Sequence, residues 1–307
     1  MVNASRGPQR LGAVDAGWMG EGSAQEGGMA QRIAWPGKVV WITGAGSGIG
    51  KALALELAGR GAMLALSGRR RDRLEEVADA IHQAGGRAAV FPCDVAVESE
   101  IEATLDAVAR TWGKVDVVVA NAGFSVSGRI ETVDADAWRR QLDVNVVGLA
   151  QTARYAIPRL RETHGALVLI GSVAGVVASP GSGPYHASKY AVRAIGQTLA
   201  MELHGSGVSC TLVQPGFVES EIAQVDNQGR FDESRPDPRP RRFMWTAERA
   251  ARLIADRVAQ REREVTFTAF GKIAAWLGQH VPGVVHFVIT RSGKAYKRAA
   301  PTPKNER

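Results

Sequence analysis

The sequence predicts an α/β fold, a doubly wound parallel sheet in a single domain with a C-terminal helical extension. Short, continuously apolar segments alternate with longer amphipathic segments from residue 38 to residue 268. The first apolar segment runs directly into a glycine-rich turn, and no internal repeat of about 20–50 residues is visible. Apolar strands separated by helices indicate parallel pairing, with helices covering both faces of the sheet.

The predicted elements follow one another in a regular order. Each strand is a short apolar run bounded by turn residues, and we place strands at 38–44, 63–68, 87–95, 115–123, 166–172, 208–216 and 264–268. The amphipathic segments between them predict helices at 47–60, 72–84, 98–112, 135–164, 185–203 and 246–260. This alternation is the Rossmann-type layout.

The segments outside this alternation have other properties. Residues 1–36 are rich in Gly, Ala, Gln and Arg without periodicity, and we expect a disordered N-terminal extension, with Met29 as an alternative start. Residues 222–243 are polar and proline-rich, which predicts a mobile loop over a site. Residues 269–289 are apolar but interrupted at Lys272 and Pro282, which favours a packed or interfacial helix pair over a membrane span. The folded α/β domain would therefore span 37–268, followed by an apolar helical segment and basic tail at 269–307.

Composition narrows the class of protein. The chain has 307 residues, 45% hydrophobic and 22% charged, with a net charge of +7, which is typical of a globular domain with a core. The basic residues gather at 69–73, at 239–242 and in the last fifteen residues rather than along one helix, without interleaved aromatic residues, so we expect no nucleic-acid partner. Two cysteines without a CxxC motif and six histidines without ligand spacing predict no disulfide framework and no metal site. We expect a cytoplasmic protein, since no secretory signal is visible.

The first strand ends in a glycine-rich turn, Thr43-Gly44-Ala-Gly-Ser-Gly48-Ile-Gly50. Such a turn lets the backbone approach a pyrophosphate, which then lies on the amides of the following helix. A P-loop would need glycine at position 45, where Ala45 stands, and the GxGxxG fingerprint would need glycine at Ile49. The pattern that fits is TGxxxGxG.

The second strand ends at Ser67-Gly68-Arg69-Arg70, with no acidic residue from 64 to 71. Sites selective for NAD place an acid here for the ribose hydroxyls, whereas arginine accommodates a 2′-phosphate. Arg69 therefore indicates NADP, with NAD as the alternative if Arg69 is only an exposed residue at a helix start.

Tyr185 and Lys189 are four residues apart on a predicted helix, so their side chains would share one face. Tyrosine ordinarily titrates near pH ~10, and a nearby cation lowers that pKa. Tyr185 is therefore a candidate general acid/base, and Ser172, thirteen positions earlier, is a candidate hydrogen-bond donor to the same reacting oxygen. The alternative is a tyrosine and a lysine on a solvated helix face.

Over about residues 36–268 the chain resembles the short-chain dehydrogenases/reductases. The resemblance rests on motifs in the family order. They are the glycine turn, Asp94 after the third strand, Asn121-Ala122-Gly123 after the fourth, Asn145 in the long helix, Ser172/Tyr185/Lys189, and Pro215-Gly216 after the sixth. Two positions depart from the family pattern: Ala120 replaces the first asparagine of a common doublet, and Ser220 stands where threonine is usual.

The resemblance implies roles for these residues. Tyr185 would exchange the proton, Ser172 would polarise the substrate oxygen, Lys189 would bind the nicotinamide ribose and lower the tyrosine pKa, and Asn145 would hold a relay water. Together with Arg69, the cofactor-binding set would be Thr43, Gly44, Ser47, Gly48, Ile49, Gly50, Asp94, Val95, Asn121, Ala122, Gly123, Tyr185, Lys189, Pro215, Gly216, Val218 and Ser220.

The expected function is an oxidoreductase that moves a hydride between NADP(H) and a carbonyl/secondary alcohol pair. The alternative is a catalytically idle NADP-binding sensor or scaffold, against which an intact Ser/Tyr/Lys/Asn set argues. Val176, Val177, Phe217 and Phe243 suggest an apolar pocket for a lipophilic small molecule. We further expect a homodimer or homotetramer, and consider peripheral membrane contact through residues 269–291.

Overall fold

The computed structural model describes residues 32–291, and within that range seven strands form one sheet. The strands are β1 (Val39–Thr43), β2 (Met63–Ser67), β3 (Arg87–Val90), β4 (Val117–Ala120), β5 (Ala166–Ile170), β6 (Ser209–Gln214) and β7 (Glu264–Thr266). All neighbours pair in parallel, in the order β3-β2-β1-β4-β5-β6-β7. The predicted doubly wound parallel sheet is confirmed.

Helices connect the strands as predicted. They are α1 (Gly48–Gly59), α2 (Arg71–Gln83), α3 (Glu98–Trp112), α4 (Ala135–Leu142), α5 (Leu149–Thr163), α6 (Gly183–Glu202), α7 (Ala247–Ala259), α8 (Ala269–His280) and α9 (Pro282–Arg291). The single helix predicted over 135–164 is divided, because one π-helical segment, Asp143–Gly148, separates α4 from α5. Such segments are frequent at functional sites.

The hydrophobic core lies on both faces of the sheet because successive strand residues point in opposite directions. Val40 and Ile42 of β1 belong to the cluster that packs with α1, α2 and α7, whereas Val39 and Trp41 belong to the cluster that packs with α3, α5 and α6. All four side chains are fully buried. Each such burial contributes about 1.5–3 kcal/mol, and this rigid layer positions the loops at the strand ends.

The packed region begins before residue 37, which corrects the predicted N-terminal boundary. Ile33 and Trp35 are 7% and 6% exposed and join the core cluster that includes α7. The Ile33 amide donates a hydrogen bond to the Ala259 carbonyl at 2.9 Å. The sequence did not predict this packing, because two apolar residues within a polar segment do not form a recognisable pattern. The rest of the predicted extension, residues 1–31, lies outside the described residues.

The C-terminal segment forms the predicted helix pair. Helices α8 and α9 meet at a bend of 117°. Among the residues described, no single helix has the length and apolar character to cross a membrane, although α8 and α9 taken together meet those criteria. The predicted tail at 292–307 is outside the described part of the chain.

Candidate active site

A cleft of about 520 Å³ opens at the carboxyl ends of the strands. The loops that follow β1, β2, β4, β5 and β6 all contribute to its lining. The strands β1, β2 and β3 are added in one direction across the sheet. The chain then returns to the other side of β1 and adds β4 to β7 in the opposite direction, so the order of strand addition reverses between β1 and β4. Open α/β sheets bind ligands at such a switch point.

The glycine turn after β1 forms one side of the cleft and is held from behind by Asn121. The Asn121 amide nitrogen Nδ2 donates to the carbonyls of Thr43 and Gly44 at 2.9 and 3.1 Å. Gly44 and Gly48 have φ of +66° and +52°, which side-chain-bearing residues rarely adopt. A Cβ at Gly50 would overlap the Gly44 carbonyl. Three residues of the turn do not line the cleft: Thr43, Ala45 and Gly50. The cleft is lined by the other turn residues, which are Gly44, Gly46, Ser47, Gly48 and Ile49.

The start of α1 fits the pyrophosphate of a dinucleotide. Ser47, Gly48 and Ile49 line the cleft where the helix begins. The Ser47 side chain does not cap the helix, so its first-turn amides remain available as donors to an anion. The helix start has no side-chain cap, and the glycines of the turn leave its backbone accessible. Both features suit a phosphate group.

Arg69 and Arg70 line the same cleft where β2 ends. The Arg69 guanidinium donates to the Gly229 carbonyl at 2.9 Å, and Arg70 forms an ion pair with Glu221 at 2.7 Å. Arg70 also lies over the Phe231 ring, 5.5 Å from its centroid. Sequence reasoning did not identify Glu221 or Phe231. They come from the loop between β6 and α7, which therefore reaches the β2 end of the cleft.

The loops after β3 and β4 supply the middle of the cleft. Asp94, Val95, Asn121, Ala122 and Gly123 all contribute to the lining, as placed by the sequence motifs. Asp94 closes its own turn, since its carboxylate accepts from the Ala96 amide at 3.0 Å.

Ser172, Tyr185 and Lys189 meet at the opposite part of the cleft. Ser172 follows β5, and its hydroxyl accepts from the Ala174 amide at 3.1 Å. Tyr185 and Lys189 lie on α6, with the Lys189 ammonium 5.8 Å from the centre of the Tyr185 ring. That ammonium donates to the Ile170 carbonyl at 2.9 Å. All three side chains line the cleft, with Pro215, Gly216, Val218 and Ser220.

The electrostatics of Tyr185 differ from the sequence expectation. Burial raises the pKa of the Tyr185 phenol above its ordinary value, opposed by the Ser172 hydroxyl and the positive charge of Arg239. Burial also lowers the pKa of Lys189 to about 8. The expected lowering of the tyrosine pKa by Lys189 is not found, because the ammonium is directed to the Ile170 carbonyl and desolvation dominates.

Asn145 lies in the π-helical segment, behind the cleft rather than in its lining, and is 1% exposed. Its amide oxygen accepts from the Phe124 amide at 3.1 Å, and its amide nitrogen donates to the Phe124 carbonyl and the Ser188 hydroxyl at 3.0 and 3.1 Å. The side chain expected to hold a water thus connects the loop after β4 to α6, one residue before Lys189.

Arg239 is the main site residue that sequence reasoning missed. Its guanidinium donates to the Val218 carbonyl at 2.9 Å and to the hydroxyl and carbonyl of Ser220 at 3.1 and 2.8 Å. Asp237 holds the same group in an ion pair at 2.8 Å. The local sequence Pro-Arg-Pro-Arg-Arg contains three arginines, and no pattern in it distinguishes the one that enters the cleft.

Comparisons with known proteins agree with this geometry. A family model described as short chain dehydrogenase matches residues 38–230. The chain is 35% identical over 264 residues to 11-beta-hydroxysteroid dehydrogenase A of Sesamum indicum, covering 82% of this chain and 74% of the relative.

Two solved structures are similar over most of their length. A short chain dehydrogenase/reductase from Burkholderia phymatum in complex with NAD has a TM-score of 0.70 and 27% identity, covering 90% of this chain and all of that one. An alcohol dehydrogenase from the archaeon Thermococcus sibiricus complexed with 5-hydroxy-NADP has a TM-score of 0.67 and 28% identity, covering 76% and 96%. These two relatives bind different nicotinamide cofactors.

Proposed function

Since the chain belongs to the short-chain dehydrogenase/reductase family of oxidoreductases, we propose that it interconverts a carbonyl and a secondary alcohol with NADP(H), using Tyr185 as general acid/base. One observation carries the proposal. The Ser172, Tyr185 and Lys189 side chains lie together in the cleft that also contains the glycine turn and the start of α1. A proton donor and a cofactor cradle are thus within one enclosed site.

The nicotinamide, when bound, supplies the hydride chemistry. The Ser172 hydroxyl donates a hydrogen bond to the substrate oxygen and fixes its position. In carbonyl reduction the Tyr185 hydroxyl gives its proton to that oxygen as negative charge develops there, and in alcohol oxidation its phenolate takes the proton back. The positive charge of Arg239 favours the phenolate in both directions.

Burial raises the pKa of Tyr185 and so favours the protonated phenol, the form that carbonyl reduction uses. A phenol with a raised pKa is protonated at neutral pH and ready to donate, whereas alcohol oxidation requires its deprotonated form. The rate of alcohol oxidation is therefore expected to increase with pH through the alkaline range.

Arg69 and Arg70 support NADP over NAD. Both guanidinium groups line the cleft at the end of β2, where the sequence has no acid for a ribose diol. The test is Arg69→Asp, with Arg71→Asp as a matched control, because Arg71 is exposed and pairs only with Glu75 of its own helix among the described ion pairs. Arg69→Asp should shift the NADP/NAD ratio of kcat/KM towards NAD, and an unchanged ratio would contradict the assignment.

The substrate class we propose is a lipophilic carbonyl or secondary alcohol, steroid-like or aromatic. The relative named for a hydroxysteroid supports it, as do the apolar side chains near the site. Phe217 and Phe243 both stack on Phe270, with ring centroids 5.3 and 5.4 Å apart. We also propose a cytoplasmic homodimer or homotetramer, which size-exclusion chromatography with light scattering would test.

The decisive experiment compares Tyr185→Phe with Tyr155→Phe, a tyrosine outside the cleft that bonds Glu98. A panel of carbonyl and alcohol substrates with NADPH or NADP absorbance gives the rate, and fluorescence quenching gives cofactor affinity. Tyr185→Phe should reduce kcat at least a hundredfold, the general acid–base contribution being about 10²–10⁴, while cofactor affinity stays unchanged. Retained activity would refute the mechanism. A wild-type chain that binds cofactor but turns over nothing in the panel would favour the sensor or scaffold.

A further inference from the structure

Helices α8 and α9 expose an unusual amount of apolar surface. Three side chains on α8 and three on α9 are between 42% and 60% exposed: Phe270, Ile273, Trp276, Val284, Phe287 and Val288. We call this set the α8–α9 surface. Within each helix the three positions follow a spacing of three or four, so they lie on one face. No residue of α9 is fully buried, and only Val285 and Ile289 among its described residues are partly buried.

The charges around this surface are of one sign. Residues 269–291 contain no aspartate or glutamate, and Lys272 and Arg291 belong to the two helices. The sequence that follows directly adds Lys294, Lys297 and Arg298 before any acidic residue. An apolar helix face bordered by basic residues is the composition of helices that lie in the interface of an anionic bilayer.

The dimensions fit a helix pair lying on a membrane. At 1.5 Å per residue, the 12 residues of α8 and the 10 of α9 are about 18 and 15 Å long, against a hydrocarbon core of about 30 Å. The bend of 117° between them directs α9 back along α8 rather than onward. A second copy of the chain is a less suitable partner, because its matching helices carry basic residues and no acidic residue that could pair with them.

The α8–α9 surface is connected to the substrate end of the cleft. Phe270 of α8 stacks on two rings of the loop between β6 and α7. One is Phe217, which directly follows the cleft residue Gly216, and the other is Phe243. The α8 backbone also approaches the loop closely, since a Cβ at Gly216 would be 3.3 Å from the Gly271 Cα. Helix α8 and the loop after β6 therefore pack together beside the cleft.

We propose that the α8–α9 surface docks this protein onto an anionic lipid bilayer and places the substrate entrance at the membrane surface. Its apolar side chains enter the boundary between headgroups and acyl chains, while the basic residues meet the lipid phosphates. Delivery of a membrane-partitioned substrate rests on the proposed oxidoreductase function; the docking itself does not.

The test is co-sedimentation of the full-length protein with phosphatidylcholine vesicles, with and without phosphatidylglycerol, at low and high salt. The variants are Ile273→Glu and Phe287→Glu, each placing a charge on the α8–α9 surface. Met201→Glu is the matched control, because Met201 is an apolar residue on α6 with 71% exposure. Circular dichroism and cofactor affinity verify that each variant is folded, and neither readout requires turnover.

We expect wild type and Met201→Glu to bind the anionic vesicles, less strongly at high salt. Ile273→Glu and Phe287→Glu should partition roughly tenfold or more weakly, because each replaces an apolar side chain that the bilayer would bury with a charged one. Wild type that does not bind anionic vesicles, or variants that bind like wild type, would overturn the proposal. So would a change of oligomeric state without a change in vesicle binding, which would assign the surface to a second copy. If the wild-type protein binds the vesicles but shows no oxidoreductase activity, the docking proposal stands and only the proposed enzymatic function is refuted.

Discussion

The Lys189 ammonium donates a hydrogen bond to the main-chain carbonyl of Ile170 at 2.9 Å. Ile170 is the last residue of β5 and Ser172 follows it by two positions, so the cation is fixed at the strand end that carries the proposed hydrogen-bond donor. Lys189 is only 6% exposed, and burial lowers the pKa of its ammonium group to about 8. A buried lysine positioned in this way lowers stability in exchange for function.

Lys189→Met should therefore abolish activity and raise the melting temperature at pH 7. Below pH 8 the lysine is charged in both states, and the folded chain carries the full cost of burying that charge, on the order of 3 kcal/mol. Between pH 8 and the ordinary lysine pKa of 10.5 the unfolded chain binds more protons, so this cost disappears as pH rises. Thermal melts at pH 7 and pH 10 measure the difference.

The control is Lys51→Met at an exposed position on α1. Its effect on melting temperature should be small at both pH values. A Lys189→Met variant less stable than wild type at pH 7 would show that the bond to Ile170 outweighs the cost of burial.

Arg239→Gln should weaken cofactor binding and change the pH profile. The substitution removes bonds to Val218 and Ser220, and we expect a roughly tenfold or greater rise in cofactor KM. Losing the positive charge also moves the Tyr185 pKa further upward, so the pH of half-maximal alcohol oxidation should increase. Arg242→Gln is the control, since Arg242 lies over the Phe243 ring. An unchanged pH profile would assign Arg239 a purely structural role.

Asn145→Ala should reduce both stability and activity. It removes three hydrogen bonds and leaves the buried Phe124 amide without its acceptor, at a cost of about 1–3 kcal/mol, whereas the Phe124 carbonyl keeps the bond from Gln141. Gln141→Ala is a close control, because Gln141 is also buried and bonds to Val126 and Phe124 but not to α6. Urea unfolding should show similar losses in the free energy of unfolding for the two variants. Only Asn145→Ala should also lower kcat. Equal kcat values would contradict the positioning role.

Gly50→Ala should damage the cofactor turn. The added Cβ would overlap the Gly44 carbonyl and the Asn121 amide, so the turn must shift at a cost of about 1–3 kcal/mol. Gly59→Ala on the same helix has open space around its Cβ and should be neutral or stabilise by about 0.5–1 kcal/mol. Cofactor titration should show at least a tenfold loss for Gly50→Ala alone; equal affinities would contradict the role of this turn.

Local patterns in the sequence were sufficient for the sheet and for many of the residues that line the cleft. The apolar runs 38–44 and 166–172 predict β1 and β5, because burial on both faces imposes a continuous apolar run. Tyr185 and Lys189 were predictable because the α-helical repeat places residues four apart on one face. The glycine turn was predictable because only glycine tolerates the backbone conformations of Gly44 and Gly48.

Contacts between distant segments were decided only by the tertiary structure. The entry of Arg239 into the cleft depends on how a proline-rich loop folds back over β6, and its neighbouring arginines carry the same local signal. The burial of Ile33 against α7 depends on a helix more than two hundred residues later. The direction of the Tyr185 pKa is also set by packing, because desolvation and the orientation of Lys189 are three-dimensional properties. Sequence thus determined what is set by local backbone geometry and periodic burial, and the folded chain decided the long-range electrostatics and packing.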